Sequence, residues 1–278
     1  MFKGRKLVIA TKHNKEKVIG PLIEAALSVH CFIPKNFDTD LLGTFTGEVE
    51  RNDDPVTTLR NKCLSAMEVT GCDLGIASEG SFGPHPSIFF VSADDELLIF
   101  IDKKNNLEII VRELSIKTNF NGAEIKTENQ LHEFATTANF PSHGLILRKA
   151  KDDFSEIIKG FTNWQTLTET FKIFIEKFGI AYAETDMRAL YNPTRMEVIE
   201  TTAKKLVEKI KSQCPVCHTS GFGITEVKNG LPCSLCGFPT RSALSFIYEC
   251  KKCGFIKEEK YPHNKTKEDP MYCDICNP

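Results

Sequence analysis

Eight of the eleven cysteines lie in four Cys-x-x-Cys pairs within the last 65 residues of the 278-residue chain. A two-residue gap lets both sulfurs of a pair reach one ion at about 2.3 Å. The spacing therefore predicts two Zn2+ ions, and both are structural because four protein ligands leave no open position for a substrate. A disulfide framework is the alternative, disfavoured because no secretory signal precedes the pairs. The pairs are Cys214/Cys217, Cys233/Cys236, Cys250/Cys253 and Cys273/Cys276.

The gaps between the pairs indicate which pairs share an ion. Between the first and second pairs lie 15 residues, between the second and third 13, and between the third and fourth 19. Gaps of about 15 to 20 residues are typical of two pairs on one zinc, which favours sequential pairing, first with second and third with fourth. Nested and interleaved pairings stay open. His218 and His263 could replace a thiolate, but eight cysteines already fill eight ligand positions.

A first polar cluster, earlier in the chain, could bind phosphate. Thr11, Lys12, Asn14 and Lys17 precede a predicted helix. Backbone N–H groups at a helix N-terminus attract anions, and these side chains could add donors. The alternative is a capped helix with solvated lysines.

Two further clusters carry carboxylates. Glu79 and Ser81 follow a predicted strand beside Gly80, where a carboxylate can hold a divalent metal or orient water. The alternative is a tight turn with Glu79 exposed. Asp186 and Arg188 project the same way in an extended segment, and Arg195 lies in the first turn of the next predicted helix. A cation there opposes the helix dipole, so either a salt bridge with Asp186 or Glu184 or a bound anion has to offset it.

Predicted elements place each cluster directly after a strand, where ligands bind in α/β sheets. The predicted strands are Leu7–Ala10, Leu74–Ser78, Ile88–Val91, Leu97–Ile101, Leu107–Val111, Gly144–Lys149 and Ile180–Ala183. The predicted helices are Val18–Leu27 with a kink or second start at Pro21, a segment from Pro55 to Gly71 capped by Asp53 or Asp54, Asn163–Phe178 and Thr194–Lys211. The predicted loops are Glu79–Pro86, Ala93–Glu96 and Lys103–Asn106.

These elements predict two domains. Residues 1–212 form an α/β domain in which a mixed sheet with flanking helices contains a phosphate and metal cleft. Residues 213–278 form a double zinc ribbon. The remaining cysteines, Cys31, Cys63 and Cys72, are interpreted as small buried hydrophobic residues.

Composition argues against two classes of partner. The formal net charge is −2, and residues 212–278 carry 8 Lys+Arg against 7 Asp+Glu. Because each zinc with four thiolates adds about −2, the ribbon is mildly acidic, which disfavours a nucleic-acid partner. No apolar run reaches the 18 or so residues of a membrane span. We therefore expect a cytoplasmic protein without a membrane partner, whose ribbon could mediate protein contact or oligomerisation.

The first part of the chain resembles a nucleotide-hydrolysing family. The segment Ala10-Thr11…Asn14…Lys17, a helix with Arg60, Lys62 and Ala66, and the run Gly75–Ser81 are similar to the inosine/xanthosine triphosphate pyrophosphatase superfamily. The resemblance implies a mixed α/β fold with a central cleft, a Mg2+-dependent reaction on non-canonical nucleoside triphosphates, phosphate roles for Thr11, Asn14 and Lys17, and a metal role for Glu79. As a whole, the chain resembles uncharacterised bacterial proteins with a C-terminal double zinc ribbon.

Two functions follow as hypotheses. The first is a metal-dependent hydrolase of a nucleotide or other phosphate-containing substrate, in which Glu79 and Asp186 hold Mg2+ and orient water. In it the three clusters converge at the carboxyl ends of the first, third and last strands. The second is a non-catalytic adaptor whose zinc ribbon binds protein or RNA.

Overall fold

The computed structural model describes residues 1–35 and 54–278. These residues form two compact units, Met1–Val207 and Glu208–Pro278. Asp53, one of the two predicted helix caps, lies outside the described residues. Within the described ranges, none of the helices combines the length and the apolar character needed to cross a bilayer.

The first unit alternates strands and helices. Its first half contains β1 (Lys6–Ala10), α1 (Glu16–Leu27), β2 (His30–Phe32), α2 (Pro55–Thr70), β3 (Leu74–Pro84), β4 (Ser92–Asp102) and β5 (Leu107–Ser115). Its second half contains β6 (Gly122–Ile125), α3 (Glu128–Thr137), β7 (Leu145–Ala150), β8 (Asp153–Phe161), α4 (Trp164–Phe178), β9 (Ala181–Thr185) and α5 (Pro193–Lys211).

Five strands make the first sheet, in the order β2-β1-β3-β4-β5. Strand β1 runs parallel to β2 and β3, whereas β4 and β5 are antiparallel to their neighbours. The sheet is therefore mixed, as predicted. Helix α2 packs closely on one face, because a Cβ on Gly75 of β3 would lie 2.6 Å from Met67 and 2.8 Å from Cys63.

Two faces of this sheet carry different residues. Leu97, Ile99 and Ile101 of β4 belong to the core beneath α2. Because side chains alternate along a strand, the even-numbered residues of β4 point to the opposite face. We call these the α2 face and the α5 face, since Arg195 of α5 reaches Glu96 on the second one.

A second, four-stranded sheet has the order β6-β9-β7-β8, and all of its pairings are antiparallel. Its core comes from α3 and α4, with Leu131, Phe134, Leu167 and Phe171 buried against the strands. The single sheet expected from the sequence is therefore divided into two, and the last predicted strand lies in the second. The mixed α/β class is confirmed, and the pyrophosphatase-like fold stays a resemblance.

The hairpin of β3 and β4 corrects the sequence prediction. The predicted loop at Glu79–Pro86 and the predicted turn at Ala93–Glu96 are largely strand, since pairing continues from Leu74↔Asp102 to Pro84↔Ser92. The predicted strand Ile88–Val91 is instead the connecting turn, with Phe90 92% exposed. Charged residues usually indicate a loop, but Asp94 and Glu96 are buried in the folded protein and belong to strand β4.

Helix boundaries agree better with the sequence. The Asp54 carboxylate caps α2 by accepting from Val56 N at 3.0 Å and Thr57 N at 3.1 Å, and Gly71 ends the helix with φ of 65°. Asn163 caps α4. Pro21 lies inside α1. Local capping chemistry explains why these ends are readable from sequence.

The second unit contains an antiparallel meander, in the order β10-β11-β12. Its strands are β10 (Gly223–Asn229), β11 (Ala243–Glu249) and β12 (Ile256–Lys260). Most side chains of β10 and β12 are exposed. So thin a core is typical of a unit that depends on bound metal ions to fold.

Candidate functional site

The eight paired cysteines form two tetrads in the second unit. The first comprises Cys214, Cys217, Cys250 and Cys253, and the second comprises Cys233, Cys236, Cys273 and Cys276. Sulfur separations of 3.5 to 3.9 Å occur in both tetrads. Four sulfurs at about 2.3 Å from a tetrahedral ion lie about 3.8 Å apart, so the geometry fits Zn2+. The same separations are far longer than a disulfide bond of about 2.05 Å.

The sequential pairing favoured by the gap lengths is wrong, because the tetrads interleave. Gly223 at the start of β10 pairs with Glu249 at the end of β11, which brings the first cysteine pair beside the third. Lys260 at the end of β12 pairs with Ser245 near the start of β11, so the chain returns the fourth pair to the second. The meander thus places one tetrad at each of its ends, and strand register decides the pairing.

Each cysteine pair forms the same local turn. The backbone N–H after the second cysteine donates to the carbonyl of the first, as from His218 to Cys214 at 2.9 Å and from Gly237 to Cys233 at 3.0 Å. Both donors have positive φ, 56° and 75°, in the left-handed region that glycine tolerates best. Backbone N–H groups also point at ligand sulfurs, with Val216 N 3.4 Å from Cys214 Sγ. These turns hold the thiolates in position, and neither tetrad includes a histidine.

A second candidate site is a group of buried charges in the first unit. On the α2 face, the Lys62 ammonium forms an ion pair with the Glu79 carboxylate and donates to the Ser78 carbonyl at 3.2 Å. Lys62 and Glu79 are 8% and 5% exposed. Glu79, nominated from the sequence as a metal ligand, is therefore a strand residue with a buried cationic partner.

On the α5 face, Arg195 and Glu96 form a fully buried pair. Arg195 Nε donates to Glu96 Oε1 at 2.6 Å, and another guanidinium nitrogen donates to the carbonyl of Met187. The guanidinium also lies 5.0 Å from the centre of the Phe82 ring. Arg195 thus connects β4 to the segment after β9. The positive charge near the N-terminus of α5 is offset by a salt bridge, but its partner is Glu96 and not Asp186 or Glu184, the two partners expected from the sequence.

Lys15 joins this group from the loop between β1 and α1. Its ammonium donates to the Ser78 hydroxyl at 3.2 Å and lies 4.0 Å from Glu96 Oε2. Burial, followed by the Arg195 cation, lowers the pKa of Lys15 to about 7. A lysine with this pKa can give up its proton near neutral pH, which an exposed lysine cannot do.

Asp94 completes the group, two residues before Glu96 on the same face of β4. It is 0% exposed, and neither carboxylate oxygen has a hydrogen-bond partner among residues 1–35 and 54–278. Burial, followed by the adjacent Glu96 carboxylate, raises the pKa of Asp94 to about 8. We call Lys15, Lys62, Glu79, Asp94, Glu96 and Arg195 the buried charge cluster.

The remaining residues nominated in the first loop lie outside this cluster. Thr11 is buried, and its hydroxyl donates to the Lys12 carbonyl at 3.2 Å. Lys12 is half-buried, whereas Asn14 and Lys17 are exposed. Asn14 has φ of 64° and accepts the Lys17 N–H at its carbonyl. The loop therefore turns Lys15 inward and leaves three of its polar side chains accessible to a ligand.

The residues nominated after β9 pair with each other. Asp186 is fully buried, and its two oxygens accept from Arg188 Nε at 2.9 Å and from a terminal guanidinium nitrogen. Arg188 also stacks 4.5 Å from the centre of the Tyr191 ring. Arg195, further along the chain, contacts the first sheet through its ion pair with Glu96. Ser81 is half-buried on β3, opposite Asp95.

Comparison with protein families assigns the chain. Residues 62–278 match a family described as a domain of unknown function, DUF6671. The chain belongs to the DUF6671 family. Its matched range includes both cysteine tetrads and every member of the buried charge cluster except Lys15. A search of curated proteins gave no significant match. The family description carries no activity, so the resemblance to nucleotide pyrophosphatases bears only on the proposal below.

Four members of the buried charge cluster were not nominated as site residues from the sequence, namely Lys15, Lys62, Asp94 and Glu96. A usable signal exists for the last two, since Asp94 and Glu96 continue the alternation of Leu98 and Phe100 on one face of a strand. Lys62 lies on the apolar side of α2 with Leu59, Cys63 and Ala66. Charged residues at the buried positions of an otherwise apolar strand or helix face indicate buried charges.

Proposed function

We propose that the protein is a metal-dependent hydrolase of a nucleotide or other phosphate-containing substrate, with its reaction centre at the buried charge cluster and its two zinc sites structural. The observation that carries the proposal is the collection of three carboxylates and three cations, all nine-tenths or more buried, near the carboxyl end of β1 and along the middle of β3. Mixed charge of this kind suits a metal–phosphate site, in which carboxylates attract the ion and cations offset the remaining phosphate charge.

The first loop supplies groups for the phosphates. Asn14 and Lys17 are exposed, and Lys12 is half-buried, so these side chains can meet a substrate that approaches the end of β1. The buried Lys15 lies behind them and adds positive charge. Arg188, which keeps part of its side chain exposed, is a further cation for an anionic substrate. The roles of Asn14 and Lys17 agree with the resemblance to the inosine/xanthosine triphosphate pyrophosphatases.

Hydrolysis requires water to attack phosphorus while the bond from phosphorus to the leaving oxygen breaks. The leaving oxygen takes the bonding electron pair, and the water gives up a proton to a carboxylate. In the sequence-based hypothesis Glu79 and Asp186 orient that water. Lys62 fixes the position of Glu79, and Arg188 fixes that of Asp186. Mg2+, when bound, would offset charge on the phosphate oxygens.

The direct test is an assay of the zinc-loaded full chain with a panel of canonical and non-canonical nucleotides and Mg2+, in which phosphate and pyrophosphate release are measured. We expect hydrolysis of at least one nucleotide, and loss of that activity in Glu79→Gln. The matched control is Glu108→Gln, which removes the partner of Arg60 at an exposed position where α2 meets the same sheet. Absence of hydrolysis by the wild-type chain across the panel would overturn the proposal.

An adaptor is the second candidate, and one observation favours it. The turns of the second unit expose aliphatic side chains at their tips, with Leu235 75%, Val216 60% and Ile275 60% exposed. Exposed apolar groups in such number mark surfaces for protein contact. A hydrolytically inactive wild-type chain that binds a protein through these residues would support the adaptor.

A further inference from the structure

The first half of strand β4 presents two carboxylates on one face and a third on the other. Asp94 and Glu96 point to the α5 face, two residues or about 7 Å apart along the strand. Asp95, between them, points to the opposite face and pairs with Arg112 at 2.7 Å. The three residues are adjacent in sequence, yet Asp94 and Glu96 are 0% exposed whereas Asp95 is half-buried.

The carboxylates of the first unit differ in how their charge is offset. Glu79 has Lys62, and Asp186 has both oxygens engaged by Arg188. Glu96 uses one oxygen for Arg195. Its other oxygen, Oε2, and both oxygens of Asp94 are buried and accept no hydrogen bond from any residue that the structure describes. Three acceptor atoms on one face of β4 are therefore available to a ligand that carries positive charge.

We propose that Asp94 and Glu96 bind one divalent cation that prefers oxygen ligands, Mg2+ or Mn2+, on the α5 face of β4. Mg2+ is held in proteins by one or two carboxylates, and water and substrate phosphate complete its coordination. Burying a carboxylate requires a compensating charge or proton, and the cation supplies that charge to Asp94. Neither ligand is a thiolate or imidazole, so this site is chemically distinct from the cysteine tetrads.

The surroundings of the two carboxylates suit such an ion. A Cβ on Gly80 would lie 2.4 Å from Glu96 Oε1, so glycine is required where β3 approaches the carboxylate. Pairing of β1 with β3 ends at Ala10↔Ala77, which leaves the edge of β3 from Ser78 onward without a strand neighbour on that side among the described residues.

This inference rests on the proposed function in one respect. It names the cation site that a metal-dependent hydrolase requires, and it moves that site from Glu79 and Asp186, which have their own cations, to Asp94 and Glu96. Binding of the cation itself can be measured without substrate, so the two proposals can fail separately.

The experiment is a titration of the zinc-loaded full chain with Mn2+, followed by electron paramagnetic resonance of the free ion. Zinc content is measured in every sample, because full tetrads leave no position for Mn2+. We expect one Mn2+ site in the wild type, and binding weakened by more than about tenfold in Asp94→Asn. The matched control is Asp95→Asn, which changes the adjacent carboxylate on the opposite face and should bind Mn2+ like the wild type.

A second variant keeps the test decisive if Asp94→Asn does not fold, as judged by circular dichroism. Glu96→Gln removes the other ligand charge and retains a carbonyl oxygen for Arg195, so it should also lose the Mn2+ site. Wild-type protein that takes up no Mn2+, or variants that bind it with unchanged affinity, would overturn the inference. Mn2+ binding without nucleotide hydrolysis would leave this site intact and remove only the proposed function.

Discussion

The cysteine tetrads of the second unit and the buried charge cluster of the first bring charged side chains together in different ways. In the second unit, four copies of one short turn each supply two thiolates, and backbone hydrogen bonds within the turn fix their geometry. In the cluster, six side chains come from β3, β4, α2, α5 and the first loop, and Asp94 and Glu96 are the only two of them that are close in sequence. Repetition makes the first kind of site readable from sequence, whereas the second exists only after the chain has folded.

The contrast extends to how each site is stabilised. A tetrad needs an external ion, since four adjacent thiolates repel one another without it. The cluster contains ion-pair partners for Glu79 and Glu96, whereas neither oxygen of Asp94 accepts a hydrogen bond from the described residues. Metal removal should therefore affect the second unit severely, while loss of one counter-charge should affect the first.

The largest effect is expected from removing zinc ligands, and it tests the interleaved pairing. Cys217→Ser combined with Cys250→Ser changes two ligands of one tetrad, so the chain should retain one zinc. Cys217→Ser combined with Cys233→Ser changes both tetrads, so it should retain none. The binding free energy of structural zinc is about 10–16 kcal/mol in zinc-finger peptides, so an intact tetrad should keep its ion during purification. Metal analysis then counts the tetrads that remain intact. The reverse result would show sequential pairing, and the single variants, each with one zinc, are the controls.

A smaller effect is expected from breaking the buried pair on the α5 face. Arg195→Met leaves Glu96 buried without its guanidinium, which should lower the free energy of unfolding by about 3–5 kcal/mol. Arg112→Met breaks the exposed pair with Asp95 and should lower it by less than about 1 kcal/mol. Urea unfolding of the first unit gives both values. Equal losses in the free energy of unfolding for the two substitutions would show that burial does not determine how much Arg195 contributes to stability.

The smallest effect on stability is expected at Gly237, in one cysteine-pair turn of the second unit. Gly237 has φ of 75°, and a Cβ there would meet no atom within 4 Å, so Gly237→Ala tests backbone strain alone. We expect it to destabilise the second unit by about 1–2 kcal/mol in thermal unfolding. Gly83 has equal space, and its φ is not in the left-handed region. Gly83→Ala should therefore change stability by less than about 0.5 kcal/mol, and a comparable loss there would contradict the argument.

The sequence by itself determined the features that depend on neighbours in the chain. Asp54 and Asn163 cap their helices, Gly71 ends α2, and the cysteine pairs form the turns that their spacing predicts. Each of these features is made within a few residues, where the chemistry of the side chain and the backbone geometry are sufficient. The mixed α/β class also follows from local periodicity.

Only the tertiary structure decided the features that depend on pairing across the chain. Strand register in the second unit placed the first cysteine pair beside the third, although the gap lengths favoured the second. Pairing of β3 with β4 turned the polar run at Ala93–Glu96 into strand and buried Asp94 and Glu96. Arg195, at the start of α5, donates to Glu96, which lies 99 positions away in the chain. Burial and register are set by the whole fold, so the charge of a residue in sequence does not reveal whether it faces water or a buried partner.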